Sequence, residues 1–252
     1  MATGSKIEWT EATWNPTTGC TKISSGCKNC YAATLSKRLK AMGMEKYKNG
    51  FEFAEHSEDI ELPLQWKKPR KIFVNSMSDL FHEKSTMKFI EKCFAVMMTA
   101  DLHTYQVLTK RPKKMAEFSK LFYTNFGQVI PSHTWMGTSI ENEENVWRID
   151  ELRNVQCTVK FISFEPLIGS VGKLDLDGIH WAIIGGESGH GFRPVQKEWI
   201  MEIIQQCKKQ NVKVFFKQWG GTRPKSGGRI INGRTYNEYP KIIKSIPILY
   251  AR

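Results

Sequence analysis

Six stretches of this 252-residue chain begin with apolar residues and end in polar or glycine-rich ones, the pattern of buried strands that open onto a site. They start at Lys71, Thr104, Thr134, Val159, Trp181 and Lys213. Segments of helical period lie between them, at residues 85–100, 113–122, 144–152 and 195–210. Because parallel strands need a long crossover connection, this alternation predicts an α/β protein with a parallel sheet.

A short strand in "ATWNPTTG", residues 12–19, precedes these six, and the strand ends then favour one of two architectures. In an open sheet the polar strand ends gather at one switch point, whereas in a barrel every strand end faces the same mouth. All six later strands end in polar or glycine-rich residues. We therefore predict a full or partial (β/α) TIM-like barrel of about six or seven parallel strands over residues 1–221. A basic extension, residues 222–252, is expected to pack on it.

The chain has no pattern of a secretion signal or a membrane span. The N-terminal "MATGSKIEWTE" lacks an apolar region, and the longest apolar runs, such as "WAII" and "KVFF", are only as long as strands. Six cysteines are too few for a disulfide scaffold, and Cys93, Cys157 and Cys207 each stand alone beside apolar residues. We expect these three to be buried thiols in a soluble, cytoplasmic protein without a membrane partner.

The other three cysteines, Cys20, Cys27 and Cys30, lie close together in one loop with the spacing C-x6-C-x2-C. Gly19 and Gly26 each directly precede a cysteine, and glycine permits backbone angles and close approaches that other residues resist. Three thiolates can bind three irons of a [4Fe–4S] cluster and leave the fourth iron open. A structural zinc site needs four ligands, so zinc requires a histidine, for which His56 and His82 are candidates.

This loop, set between a first strand and a helix of a βα barrel, resembles the radical S-adenosylmethionine (SAM) superfamily. Within it, "IEWTEATWNPTTGC", "VNSMSDLFH", "VLTKRP", "ISFEPL", "IIGGESG" and "FFKQWGG" are similar to an uncharacterised phage and bacterial three-Cys-motif family of unknown function. The first gap is longer than the superfamily's commonest C-x3-C-x2-C spacing. Asn29 stands where an aromatic residue often precedes the last cysteine, and Tyr31 follows it.

The resemblance implies two cofactors, a [4Fe–4S] cluster on Cys20, Cys27 and Cys30 and SAM on its open iron. It also implies reductive cleavage of SAM and hydrogen abstraction from a substrate, with an external electron donor of the flavodoxin or ferredoxin type. The cofactor would carry the difficult chemistry, while the protein supplies position and a water-poor cavity.

The resemblance also implies roles for residues at the strand ends. The SAM-binding candidates are Ser76, Ser78, Asp79, Lys110, Arg111, Ser139, Glu141, Asn142 and Glu165. Lys110 and Arg111 suit the SAM carboxylate, because a guanidinium fork matches a carboxylate. The catalytic candidates are Asp79, Glu165 and Glu187. Each acid also has a structural interpretation: Asp79 as a helix N-cap beside a surface His82, and the two glutamates as ion-pair partners of Lys110, Arg111 or Arg193.

Residues expected on the substrate side are Trp14, Arg193, Lys217, Gln218 and Trp219. Of the eight tryptophans, only Trp14 and Trp219 fall in polar loops after strands, and core packing is the alternative for Trp219. The remaining tryptophans stand where core aromatics are expected.

Positive charge is concentrated in two places in a chain of net charge +12. From residue 222 onward, seven Lys or Arg face one Glu, and Asn232-Gly233 there predicts a type I′ hairpin turn. A second run, "TKRPKK", leaves the third of the strands. Such runs are usually solvated surface. A basic rim would alternatively bind a nucleic acid substrate or an acidic electron donor.

Three functions therefore remain open from the sequence. The first is a radical SAM enzyme that modifies or repairs a nucleic acid or nucleotide. The second is a zinc-stabilised nucleic-acid-binding module without catalysis. The third is a radical SAM enzyme that acts on a protein or a small molecule.

Overall fold

A computed structural model describes residues 4–241 of the chain, and its centre is one curled sheet of seven parallel strands. The strands of this sheet, in spatial order, are β1 (Ala12–Trp14), β4 (Lys71–Val74), β5 (Thr104–Thr109), β6 (Thr134–Ser139), β7 (Lys160–Phe164), β8 (Trp181–Gly185) and β9 (Lys213–Gln218). A small antiparallel sheet pairs β2 (Thr17–Thr18) with β3 (Ala54–Glu55). The five α-helices of the described residues are α1 (Tyr31–Ala41), α2 (Met87–Thr99), α3 (Pro112–Phe126), α4 (Arg148–Arg153) and α5 (Lys197–Lys209).

The large sheet forms a half-barrel. Every neighbouring pair is parallel, and β1 and β9 are its two edges. The predicted parallel α/β architecture is therefore confirmed, in its partial-barrel form rather than as a full barrel. Because all the strands run the same way, their carboxyl ends meet along one edge of the sheet, which is where α/β proteins bind ligands.

Apolar side chains cover both faces of the sheet, as expected for a parallel sheet. On β8, Ala182 and Ile184 belong to the large core shared with the helices, while Trp181 and Ile183 belong to a second cluster on the opposite face. This second cluster is mainly aromatic, and the ring centres of Trp181 and Trp135 are 5.5 Å apart. The alternation follows from the two-residue period of a strand.

The helices differ from the sequence patterns mainly at their starts. Thr86 caps α2, since the backbone N–H of Phe89 donates to its hydroxyl over 3.2 Å. The helix expected at 144–152 is instead a short 3-10 turn, Glu143–Asn145, followed by α4 at Arg148–Arg153. The connection at 167–180 contains no helix. Among the described residues, no helix is both long and apolar enough to cross a membrane.

The described part of the basic extension, residues 222–241, lies against the β9 edge. Asn232 and Gly233 have φ values of 49° and 75°, and Ile231 and Arg234 exchange backbone hydrogen bonds across them, which is the predicted type I′ turn. Phe215 of β9 then bridges antiparallel to Asn237. The rest of the predicted extension, 242–252, lies outside the described residues.

Candidate functional site

The loop that carries Cys20, Cys27 and Cys30 lies at the carboxyl edge of the half-barrel, between β2 and α1. Gly19 forms a parallel bridge to Ser78, the segment after β4, so the loop starts beside a strand end. The loop contains a 3-10 turn, Ser25–Cys27, and Cys30 directly precedes α1. All three thiols are free of disulfides and partly buried.

Two glycines let this loop pack closely. Gly19 has a φ of 76°, and a Cβ there would lie 2.0 Å from the Glu52 carbonyl oxygen. A Cβ on Gly26 would lie 2.3 Å from Cγ of Glu141. Neither space admits a side chain, so the glycine before Cys20 and the glycine before Cys27 are required by packing.

The environments of Cys20 and Cys27 differ. Burial, together with the nearby Asp79 charge, raises the pKa of Cys20 to about 11, although Arg111 opposes this by donating to its sulfur over 3.5 Å. Burial would also raise the pKa of Cys27, but backbone hydrogen bonds and the charge of Lys110 outweigh burial and lower it. The thiolate form is therefore more readily reached at Cys27 than at Cys20.

Arg111, at the end of β5, connects the loop to the sheet. Its guanidinium is almost fully buried and pairs with Asp79 over 3.0 Å and with Glu83 over 2.7 Å. It also donates to the Thr21 hydroxyl over 2.7 Å. The hydrogen bond from Arg111 lowers the pKa of Glu83 to about 2, so Glu83 stays ionised at neutral pH.

Glu141, just after β6, anchors the loop from a fully buried position. Its carboxylate accepts from the Ser24 hydroxyl over 2.8 Å and pairs with Arg148 over 3.0 Å and Lys110 over 3.2 Å. A buried carboxylate needs such partners, since an unpaired one is very costly. Ser24 thus ties the cysteine loop to a charge that the sheet holds in place.

A third connection joins the loop to the segment after β8. Glu187 accepts from Asn29 over 2.9 Å and from the Arg193 Nε over 2.9 Å, and Arg193 Nη1 donates to the Ser25 carbonyl over 2.9 Å. Burial would raise the pKa of Glu187, but the hydrogen bonds from Arg193 and Asn29 outweigh it and lower the pKa. Asn29 therefore makes a structural contact that joins the loop to the segment after β8.

The chemistry of this loop fits thiolate ligation. It presents three free thiols between residues 20 and 30, and Arg111 and backbone amides donate toward sulfur. Among residues 4–241, no three or more His, Cys, Asp or Glu side chains surround a common point as ligands of a single metal ion do. An iron–sulfur cluster places each thiolate on a different iron, so its cysteines need not converge in that way.

The sequence matches a family described as "Protein of unknown function (DUF5131)" over residues 4–240. The chain belongs to the DUF5131 family. No match was found among the curated proteins or among the solved structures.

Several of the predicted SAM-binding residues in this DUF5131 chain already have protein partners. Asp79 accepts from Arg111, from the Thr109 hydroxyl over 2.7 Å and from the amides of Phe81 and Lys110. It does not cap α2, which begins eight residues later, and so the N-cap interpretation of Asp79 was wrong. His82 beside it is buried, rather than on the surface, and stacks on a phenylalanine ring.

The other predicted SAM-binding side chains of this DUF5131 chain are polar groups at the same edge. Ser76 donates to the side chain of Asn15 over 3.1 Å, and Ser78 donates to the Thr17 carbonyl over 2.8 Å. Ser139 is buried, and Asn142 accepts from Asn145 over 2.7 Å. These contacts place all four at the ends of strands or directly after them, on the same edge of the sheet as the cysteine loop.

Glu165 and Lys217 form an ion pair of 3.0 Å at the mouth of the half-barrel in this DUF5131 chain. Glu165 follows β7 and Lys217 lies in β9, and the strand between them is β8. A Cβ on Gly185 of β8 would lie 2.4 Å from the Glu165 carboxylate, so a glycine is needed for the two side chains to meet. Glu165 therefore pairs with Lys217 and not with the cations expected from the sequence, whereas Glu187 pairs with Arg193 as expected.

Three residues expected on the substrate side make hydrogen bonds within the protein. Trp14 is fully buried in β1 and donates to the Asp59 carbonyl over 2.8 Å, so it does not reach the mouth. Gln218 is buried and bonds the Ser188 hydroxyl over 2.7 Å. Trp219 packs on the core and donates to the Ile230 carbonyl over 2.9 Å, which is the core alternative.

Sequence reasoning missed one exposed aromatic residue beside the site. Trp147 immediately precedes α4 and its side chain is 45% exposed, whereas a core position was expected. Lys113 Nζ lies 5.4 Å from the centre of its ring. The sequence signal for a binding surface was the basic run "TKRPKK", residues 109–114. That run is distant from Trp147 in the sequence, and only the fold brings the two together.

Proposed function

We propose that this chain is a radical SAM enzyme whose Cys20, Cys27 and Cys30 hold a [4Fe–4S] cluster at the mouth of the half-barrel. Reduced by an external donor of the flavodoxin or ferredoxin type, a cluster held there would supply the electron for the reductive cleavage of SAM and for hydrogen abstraction from a substrate.

One observation carries this proposal. The three-cysteine loop lies at the carboxyl edge of a parallel βα half-barrel and is tied to the ends of β5, β6 and β8 through Arg111, Glu141 and Glu187. A site that performs chemistry has to be held rigidly on the scaffold, and three separate contacts to strand ends provide that support.

The chain's own residues would prepare the loop for its ligand. Arg111 donates toward the sulfur of Cys20, and Lys110 favours the thiolate of Cys27. Each contact by itself favours negative charge on sulfur, which is the form that binds iron. For Cys27 the pKa is lowered overall, whereas for Cys20 burial outweighs Arg111 and raises the pKa to about 11.

The Glu165–Lys217 pair is the candidate to contact SAM or the substrate. Its side chains are 14% and 22% exposed, in contrast to the fully buried Glu141. An ion pair that keeps contact with solvent at a mouth can exchange its partner for a charged ligand at lower cost than a buried one. We therefore assign Glu165 and Lys217 to positioning a charged or hydroxylated group, and Asp79 and Glu141 to supporting the loop.

The test is product formation by the anaerobically reconstituted full chain with SAM and a strong reductant. We expect 5′-deoxyadenosine from the native protein and none from Cys27→Ala. The matched control is Cys157→Ala, which removes a partly buried free thiol outside the loop and should leave the product unchanged. Absence of 5′-deoxyadenosine from the native chain with several reductants would refute the proposal.

A further inference from the structure

A groove of about 340 Å³ lies against the outer side of the cysteine loop. We call it the Trp147 groove, and the residues that define it are Ile23, Arg111, Lys113, Lys114, Trp147 and Arg148. Ile23 belongs to the loop between Cys20 and Cys27, and Arg111 reaches from the groove to the Cys20 sulfur. The groove therefore opens directly beside the proposed cluster site.

The groove is cationic even after its ion pairs are considered. Lys110 lines it together with the four cations already named, which makes five. The carboxylates that pair with these cations are those of Asp79, Glu83 and Glu141, and Glu83 itself lines the groove. Five cations against three carboxylates leave two formal positive charges. This excess favours an anionic ligand at low and moderate salt.

The cations are not equivalent. Lys114 Nζ donates to the carbonyls of His82 and Ser85, each over 2.6 Å, so it supports the chain beneath the groove. Within residues 4–241, no carboxylate lies at ion-pairing distance from Lys113, and its side chain is exposed. Lys113 is therefore the cation that is available to an incoming anion.

The aromatic side chain of the groove is equally available. Trp147 is 45% exposed, and Ile23 on the other wall is 41% exposed. Lys113 Nζ and the Arg148 guanidinium carbon lie 5.4 Å and 5.8 Å from the Trp147 ring centre. An exposed indole flanked by cations combines a stacking surface with charge, the two elements that single-stranded nucleic acid requires.

We propose that the Trp147 groove binds a single-stranded segment of DNA or RNA, with an unpaired base stacked on Trp147 and a backbone phosphate at Lys113. A base within a duplex already stacks on both faces, so only an unpaired base can use the indole in this way. The binding itself is independent of the proposed function. The statement that the bound strand is the enzyme's substrate rests on the proposed function.

The test is fluorescence anisotropy of labelled single-stranded 15-mers of DNA and RNA with the anaerobically reconstituted full chain, over a range of salt concentrations. Trp147→Ala should weaken binding by about 5- to 100-fold, because stacking on one aromatic residue contributes in that range. Lys113→Ala should reduce the slope of log affinity against log salt by about 0.7, the value for one phosphate contact to a single strand.

Two matched controls keep the result specific. Tyr123→Ala removes an exposed aromatic residue of α3, and Lys209→Ala removes an exposed cation of α5, and neither should change binding. If Trp147→Ala and Lys113→Ala unfold at about the same urea concentration as the native chain, loss of fold is excluded as the cause of weaker binding.

The inference is overturned if no oligonucleotide binds, or if Trp147→Ala binds as tightly as Tyr123→Ala does. It is also overturned if the groove variants lose binding only to a flavodoxin, because the surface would then belong to an acidic electron donor. Oligonucleotide binding without 5′-deoxyadenosine would refute the proposed function alone, and 5′-deoxyadenosine without oligonucleotide binding would refute this inference alone.

Discussion

Arg111 Nη1 lies 3.0 Å from Asp79 Oδ2 at the carboxyl edge of the half-barrel, and the same nitrogen donates to Cys20 over 3.5 Å. Both partners of the pair are at least nine-tenths buried, which decides how a substitution acts. Removing one member of a buried ion pair leaves the other charge without compensation, whereas removing both need not destabilise the fold.

Arg111→Met is therefore expected to lower the free energy of unfolding by about 3 to 5 kcal/mol, as found for broken buried pairs. The double variant Arg111→Met/Asp79→Asn should recover part of that loss. Urea unfolding followed by tryptophan fluorescence measures both. A loss below about 1 kcal/mol, the range of exposed pairs, would show that solvent screens this pair.

Gly26→Ala should distort the cysteine loop, because its new methyl group would lie 2.3 Å from Cγ of Glu141. We expect a loss of about 1 to 3 kcal/mol in unfolding free energy, which is typical of overpacking. Glu141→Ala is destabilising by itself but removes the clash. The loss in the Gly26→Ala/Glu141→Ala double variant should therefore be smaller than the sum of the single losses. Additive losses would mean that Gly26 and Glu141 are not in contact.

Arg193→Ala should loosen the loop from the segment after β8, since Arg193 donates to the Ser25 carbonyl and to Glu187. Charge-assisted hydrogen bonds contribute about 1.5 to 3 kcal/mol, so local opening should increase about tenfold or more. Alkylation of Cys27 by iodoacetamide in the metal-free protein, followed by mass spectrometry, reports that opening. Arg223→Ala, at an exposed position, is the control, and equal rates in the two variants would contradict this role.

Stability should fall as the pH drops below about 6.5, the ordinary histidine value. Burial lowers the pKa of His103, while its hydrogen bonds to backbone carbonyls oppose the shift only in part. The unfolded state then binds the proton more readily, so the stability present above the unfolded pKa is lost as the pH falls through the folded pKa.

His103→Gln should make the free energy of unfolding less dependent on pH between pH 7.5 and pH 5, although its absolute value will fall. Urea unfolding at several pH values in this range provides the measurement. His190→Gln, which changes an exposed histidine, should retain the native pH dependence. An unchanged slope in His103→Gln would show that His103 does not carry the effect.

The half-barrel was predictable from the sequence because each long strand is rich in apolar residues and is followed by polar or glycine-rich ones. The runs starting at Lys71, Thr104 and Lys213 became β4, β5 and β9 without a shift at their first residue. Strands of a parallel sheet are buried on both faces, so their sequences are mostly apolar wherever they lie in the sheet. The role of the glycines before Cys20 and Cys27 was also predictable, because glycine permits close approaches that other residues resist, and both glycines lie in such contacts.

The side-chain partners at the site were not predictable to the same degree. Glu141 meets Ser24 across 117 residues, and Asn29 meets Glu187 across 158. Such contacts depend on how strand ends and loops converge in three dimensions, which a local pattern does not encode. Trp14 was expected on the substrate side because it stands among polar residues in the sequence, but its side chain is fully buried.

The metal and sulfide content of the full chain, purified without oxygen, decides between an iron–sulfur enzyme and a zinc-stabilised module. We predict about four irons and four sulfides per chain, as expected for one [4Fe–4S] cluster, and an electron paramagnetic resonance signal of the reduced protein that changes when SAM is added. Cys27→Ala should lose the iron and Cys157→Ala should keep it. Stoichiometric zinc without iron in the native protein would refute the proposed cluster and favour a zinc-stabilised binding module.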